Sequence, residues 1–378
     1  MKRVVILCVW LFSVVAGHAQ LSLDECRRLA RENYPEIRQY DLVHQTEQYN
    51  LSNAARAWIP QLAFSAQATW QTDAPNFPKE LTGMLAQQGL EIPGLRKDQY
   101  KVALELNQTI WDGGKSVADK RIARAEAAEQ KTMTDVDLYE LEGRVDDLYF
   151  GILLLDERIA QTNLTLNLLR SNLEKVRALQ RNGVAMQSDA DVLEAELLSV
   201  GQQLIQFESS CDSYRRMLGI FIGQKVGDRK LQRPSAVQPL SGESARPELA
   251  MFAAKIDRLT AQEKMVKSSS MPRLGFFAQG YYGYPGLDYM QSMMNSDWSW
   301  NAMLGVKLSW NFGAYYTQKN NLNKLRISRQ QVEVQRDVFL FNMNLQAAQE
   351  NGDIARLRKA IADDDRIVAL RRSVREAA

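Results

Sequence analysis

Histidine is almost missing: the chain of 378 residues holds only His18 and His44. A histidine-based metal site or a Ser-His-Asp triad would have at most one imidazole, that of His44, once the signal is removed, so no catalytic residue, metal ligand or cofactor is assigned and an enzyme is the weakest reading. Cysteine is scarce as well, and Cys8, Cys26 and Cys211 are too few and too far apart for a disulfide framework or a thiolate cluster. Past the N-terminus no apolar run approaches the roughly 18 residues of a membrane-spanning helix, which excludes a helical membrane protein. Proline is absent between Pro93 and Pro234 and again after Pro285, which permits long uninterrupted helices there.

What is present begins with a secretory signal over residues 1–19: Lys2 and Arg3, an apolar stretch from Val4 to Ala16, then Gly17-His18-Ala19 as a cleavage site. The mature chain is expected to start at Gln20, without His18 and Cys8. Removing Lys2 and Arg3 leaves 45 residues of each sign, so no nucleic acid or other polyanionic partner is implied. His44 and Cys211 read as ordinary helix residues.

An internal repeat organises the rest. Pro35, Glu36, Pro60, Leu62, Phe64, Ala66 and Gln67 recur 212 positions later as Pro247, Glu248, Pro272, Leu274, Phe276, Ala278 and Gln279. Val102, Leu104, Leu106 and Ile110 recur 202 positions later as Leu304, Val306, Leu308 and Phe312. The expected organisation is a first repeat over 20–223, a linker over 224–245 and a second repeat over 246–378.

Between Gly114 and Gly183 the apolar residues Leu138, Leu141, Val145, Leu148, Ile152, Leu155, Ile159, Leu166, Leu169, Leu173 and Val176 follow 3-4 spacing, with Thr162 filling one gap. That is one seam of a coiled coil on a helix of roughly 100 Å. Arg181-Asn182-Gly183 is a stop and Ser188-Asp189 a start with Ser188 as N-cap, so the chain reverses at a tip over about 181–189. Leu193, Leu197, Val200, Leu204, Phe207, Cys211, Tyr214 and Leu218 form the returning seam. A second long helix is expected from about 314.

Four segments, about 61–72, 99–111, 272–284 and 298–312, alternate apolar and polar residues with period two. Each slightly exceeds the 9 to 11 residues that a tilted strand needs to cross a bilayer. Trp70, Tyr100, Trp111, Tyr284, Trp298 and Trp310 stand toward their ends, as membrane-interface aromatics would. A soluble sandwich with one wet face gives the same alternation. Four strands close no pore by themselves, and three copies supply twelve, enough for an open lumen. The fold class expected is therefore an α+β membrane protein: long antiparallel α-helical coiled-coil hairpins plus four transmembrane β-strands per chain, completing a 12-stranded β-barrel and an α-helical barrel as a homotrimer.

Leu23-Asp24-Glu25-Cys26 with Leu29-Ala30, Asn33-Tyr34-Pro35-Glu36, Trp58-Ile59-Pro60-Gln61-Leu62 and Ile110-Trp111-Asp112-Gly113-Gly114 together resemble the TolC family of outer membrane efflux and secretion ducts. The resemblance covers nearly the whole mature chain. It implies a passive trimeric channel in a Gram-negative outer membrane, a helical part in the periplasm, and a periplasmic adaptor and inner-membrane transporter as partners. It also implies that the tip docks the adaptor through Gly183, Val184, Ser188 and Asp189, with Val184 where leucine is more usual. The same tip residues read equally as a helix stop and a helix cap. Asp112-Gly113-Gly114-Lys115 lacks the spacing of a phosphate loop and reads as a strand-to-helix turn. Asp363-Asp364-Asp365 reads as a solvated helix face. Displacing Gly183 by 202 falls just past Ala378, so the second repeat is expected to be cut short before its own tip. The competing reading is a soluble periplasmic coiled-coil adaptor or scaffold, which explains the heptads but not the four strands.

Overall fold

The computed structural model describes residues 20–89, 93–234 and 246–377; the expected signal segment lies outside them. Chain order runs α1 (Leu23–Asn33), a 3-10 turn (Pro35–Arg38), α2 (Gln39–Arg56), β1 (Gln61–Trp70), α3 (Lys79–Gln87), β2 (Asp98–Trp111), α4 (Lys115–Arg181) and α5 (Gln187–Ile222). It continues through α6 (Pro247–Ser268), β3 (Arg273–Tyr284), α7 (Tyr289–Met294), β4 (Ser299–Ser309) and α8 (Ala314–Ala377). The order helix, strand, short helix, strand, long helix thus occurs twice, as the duplication requires.

Helix α4 has 67 residues and α8 has 64, the lengths that the proline-free stretches permit. The helical segment ahead of β1 opens as a 3-10 turn, because Pro35 lacks the N–H of the helical ladder and Ile37 N–H bonds back to the Tyr34 carbonyl. Strand β1 stops at Trp70, two residues early, where Gln71 N–H turns to the Lys97 carbonyl of the loop. Strand β4 stops at Ser309, ahead of a turn in which Asn311 Oδ1 accepts from Gly313 N–H at 3.0 Å.

Two compact units emerge, and they cut across the repeat: one holds residues 20–43 and 130–251, the other 44–129 and 252–377. The first unit is helical. Leu138, Leu141, Val145, Tyr149 and Ile152 of α4 are buried, together with Cys26 and Ala30 of α1 and Leu218 and Ile222 of α5. The seam predicted from spacing is the one buried: farther along, Thr162, Leu166 and Leu173 of α4 are covered, as are Val200 and Cys211 of α5, while Tyr214 is more open. Thr162 satisfies its hydroxyl on the Arg158 carbonyl at 2.7 Å. Cys211 is more than packing: its thiol faces Asp156 at 3.4 Å and Arg215 Nε at 3.3 Å, and burial pushes its pKa up. Arg215 also clamps Asp156 and the carbonyls of Gly227 and Arg229. The first part of the expected linker is packed here, with Val226 and Leu231 buried and Leu231 bridging to Leu21; residues 235–245 lie outside the described ones.

The second unit is built on one antiparallel sheet in the order β1-β2-β3-β4, so β2 and β3 join the two halves of the duplication. At the end of β2, Asp112 accepts from Gly114 N–H at 2.9 Å and Ser116 N–H at 2.6 Å, starting α4. Burial raises the Asp112 pKa, but the bonds from Ser116 and Gly114 outweigh it and hold the carboxyl low. Gly113 has φ +71°, and a Cβ there would stand 2.6 Å from Met271 Cβ, so this turn takes only glycine. Asp112 to Lys115 is thus a strand-to-helix turn. Asp363, Asp364 and Asp365 are exposed on α8.

Candidate functional site

The sheet register decides which side chains share a face. Leu62 stands opposite Leu106, Phe64 opposite Leu104 and Ala66 opposite Val102. Across the next seams Val102 faces Tyr282, Leu106 faces Ala278, Ala278 faces Leu304, and Leu274 faces Leu308. The four period-two patterns therefore merge into one apolar face. It is open: Phe64 is 73% exposed, Leu304 76% and Trp300 82%. An apolar area of this kind is not left facing water in an isolated soluble protein.

The opposite face carries Gln61, Ser65, Glu105, Asn107, Gln279 and Asn301. Gln279 ties it together, accepting from Lys101 Nζ at 3.1 Å and donating to Glu105. Lys101 also lies over the Tyr281 ring, 4.6 Å from its centroid. This polar ladder spans strands of different repeats and had no signal in either strand alone. Among the described residues no helix is long and apolar enough to cross a membrane, and no group of three or more His, Cys, Asp or Glu is placed to hold a metal ion.

The candidate interface aromatics divide into two rows. Trp70, Tyr100, Tyr284 and Trp298 stand at the loop end of the sheet, and Trp111 and Trp310 at the helix end. Strict alternation would put Trp111 on the polar face. A bulge between Thr109 and Trp111 brings it opposite Leu274 and hence onto the apolar face. Tyr100 stacks on Trp298 with centroids 5.8 Å apart, and Tyr282 bridges Trp298 and Trp300 at 5.3 and 5.0 Å. Trp310 donates its indole N–H to the Ser270 carbonyl at 3.0 Å. Tyr284 is covered: it is 3% exposed against Ala74 and Leu95, and its hydroxyl accepts from Arg96 N–H at 2.9 Å. It anchors the loop after β1.

The helix reversal in the first unit is the second candidate site. Gly183 has φ +74°, its N–H bonds the Gln180 carbonyl, and Val184 N–H bonds the Leu179 carbonyl, both at 2.9 Å. This is a Schellman ending, and it requires the left-handed residue that glycine supplies. The restart differs from expectation. The N-cap of α5 is Met186, and Ser188 lies inside the first turn, because the Asp189 carboxylate reaches back to Met186 N–H at 2.9 Å and fixes the cap two residues earlier. Across the hairpin Arg177 pairs with Glu194 at 2.6 Å, and Gln180 bonds Gln187. Gly183, Val184, Ser188 and Asp189 are all exposed at this tip. So is Met186, at 74%, which the sequence did not single out. His44 is exposed on α2, 4.0 Å from the Glu47 carboxylate.

Residues 27–223 match the model of the family described as outer membrane efflux protein. Among solved structures, the outer membrane protein VceC of Vibrio cholerae is similar at 15% identity and a TM-score of 0.61, over 85% of this chain and 75% of that one. The CmeC outer membrane channel of Campylobacter jejuni is similar at 14% identity and a TM-score of 0.58, over 85% and 68%. The open state of the MtrE outer membrane channel of Neisseria gonorrhoeae is similar at 15% identity and a TM-score of 0.53, over 82% and 68%. Among curated proteins none matches the chain.

Proposed function

The chain belongs to the outer membrane efflux protein family, and from that premise we propose that it is one subunit of a passive, trimeric exit duct for efflux or type I secretion. The observation that carries this reading is a sheet with one exposed apolar face and two open edges, since among the described residues β1 pairs only with β2 and β4 only with β3. In lipid the amides of those edges need partners, so β4 of one copy takes β1 of the next and three copies close a ring of twelve strands. The polar face then lines water.

The aromatic rows support this placement. Tyr100 and Trp111 are eleven residue steps apart. At about 3.3 Å each and a tilt of about 40°, they cover roughly 28 Å of depth, close to the apolar band of a membrane barrel. The long helices enclose the periplasmic part of the path. Energy for export comes from an inner-membrane transporter, reached through an adaptor that seats on the tip.

Two measurements test the reading. The native protein, purified from its envelope, is expected to need detergent for extraction, to run as a trimer and to give discrete conductance in bilayers; recovery as a soluble monomer would reject the duct. At the tip, Val184→Glu is expected to weaken adaptor binding about tenfold, because it places a carboxylate in an apolar contact. The fold is expected to survive, since Val184 is 73% exposed. Unchanged adaptor affinity would remove the tip from the docking surface.

A further inference from the structure

If the polar face of the sheet lines the duct, its charge decides what passes, and that charge is uneven. Within the strands this face carries three cations, Lys101, Arg273 and Lys307, and a single carboxylate, Glu105. The carboxylate is already matched, because Gln279 links it to Lys101. Arg273 and Lys307 remain.

They stand on adjacent strands at the helix end of the sheet. Lys307 is opposite Gly275 and Arg273 opposite Ser309, so the two are diagonal neighbours about 7–8 Å apart through the backbone. Both are exposed, and among the described residues neither pairs with a carboxylate. They border a recess of about 590 Å³ that also holds Asp112, Lys115 and Asp119. Lys115 Nζ pairs with Asp119 at 2.8 Å, and Asp112 is 8% exposed and turned to the amides of Gly114 and Ser116, so the recess keeps a net positive charge and Arg273 and Lys307 are its open cations. Two like charges held side by side without a direct ion-pair partner repel, and an anion between them relieves that repulsion.

We infer that Arg273 and Lys307 form a cationic collar where the strands meet the helices, and that it favours passage of anionic solutes, those bearing carboxylate or phosphate groups. Three copies would set six cationic side chains at one level of the lumen, the kind of ring that selects anions in pores. The inference rests on the duct reading and adds a solute class to it.

The test uses single channels of the native protein in bilayers of zwitterionic lipid, so that headgroup charge makes no contribution. Anions are expected to be favoured over cations by about tenfold at low salt, with the preference fading as salt rises. R273Q/K307Q is expected to bring the permeability ratio close to one, R273E/K307E to invert it, and the charge-conserving R273K/K307R to keep it. Inorganic tripolyphosphate, added on the helix side, is expected to block the native channel in a voltage-dependent way and to leave the glutamine variant open. Trimer bands on gels verify that each variant assembles. A channel that conducts but prefers cations, or whose preference survives R273Q/K307Q, overturns the collar and leaves the duct standing. Absence of any conductance overturns both.

Discussion

Leu304→Arg is expected to abolish assembly in the outer membrane, whereas Met303→Arg, one residue away, is expected to leave it nearly intact. Leu304 stands at the middle of β4, on the apolar face opposite Ala278, and Met303 stands on the other face opposite Gln279. Depth and substitution are the same, so only the face differs. An arginine facing lipid at mid-membrane costs about 2–4 kcal/mol in each chain and therefore about 6–12 kcal/mol in a trimer, comparable to the whole stability of a typical domain. An arginine facing water in the lumen costs little. Trimer bands on semi-native gels and recovery in the outer membrane fraction report the difference. Equal loss in both variants would mean that the two faces are not lipid and water.

Tyr149→Ala is the second large effect. The ring is fully buried among α1, α4 and α5, and the hydroxyl sits 2.7 Å from the Leu21 carbonyl and 2.6 Å from the Gln232 carbonyl. With one proton it donates to one of them at a time and holds both segments against α4. Removing the ring is expected to cost about 3–5 kcal/mol through the cavity alone, and Tyr149→Phe about 1–2 kcal/mol through the Gln232 carbonyl left without its donor, the Leu21 carbonyl keeping the Gln232 N–H. Burial, followed by the nearby Cys26, pushes the Tyr149 pKa up to about 12. Because the folded value lies above the unfolded value of about 10, this contribution is complete below pH 10 and is lost as the pH rises toward 12. Cys26, raised to about 12 mainly by burial, acts in the same direction. Thermal unfolding followed against pH is expected to show a shallower alkaline decline in Tyr149→Phe; an unchanged slope would mean that the tyrosine does not titrate with unfolding.

Much of the fold was legible because it rests on two periods. Residues three and four apart must share a helix face, so Leu138 to Val176 announced a buried seam, and the buried positions of α4 follow it. Residues two apart must share a strand face, and the register joins those faces across all four strands. What escaped depends on contacts between distant segments. Tyr149 looks like any aromatic on the helix until Leu21 and Gln232 supply its carbonyls. Gln279 looks like one more polar alternate until Lys101 and Glu105 stand on the neighbouring strand. The bulge at Ile110 shifts Trp111 by one face, and no single-strand pattern carries that information. At the tip a serine followed by an aspartate suggested the cap, but Asp189 reaches three residues back to a backbone amide, and that bond sets the helix start at Met186. Tyr284 sits in an aromatic row by position, yet the loop around Leu95 closes over it.

The unfilled margins of the sheet bear on how the protein is made. A lone copy displays bare hydrogen-bonding rows along β1 and β4 beside a greasy flank, which is the template on which identical strands stack into fibrils. Productive ring closure and stacking compete for the same rows, and both accelerate with concentration. If the proposed ring is what fills those rows, yield is expected to depend on how soon each copy finds its neighbours, and overproduction without matching escort capacity is the condition under which aggregate is expected.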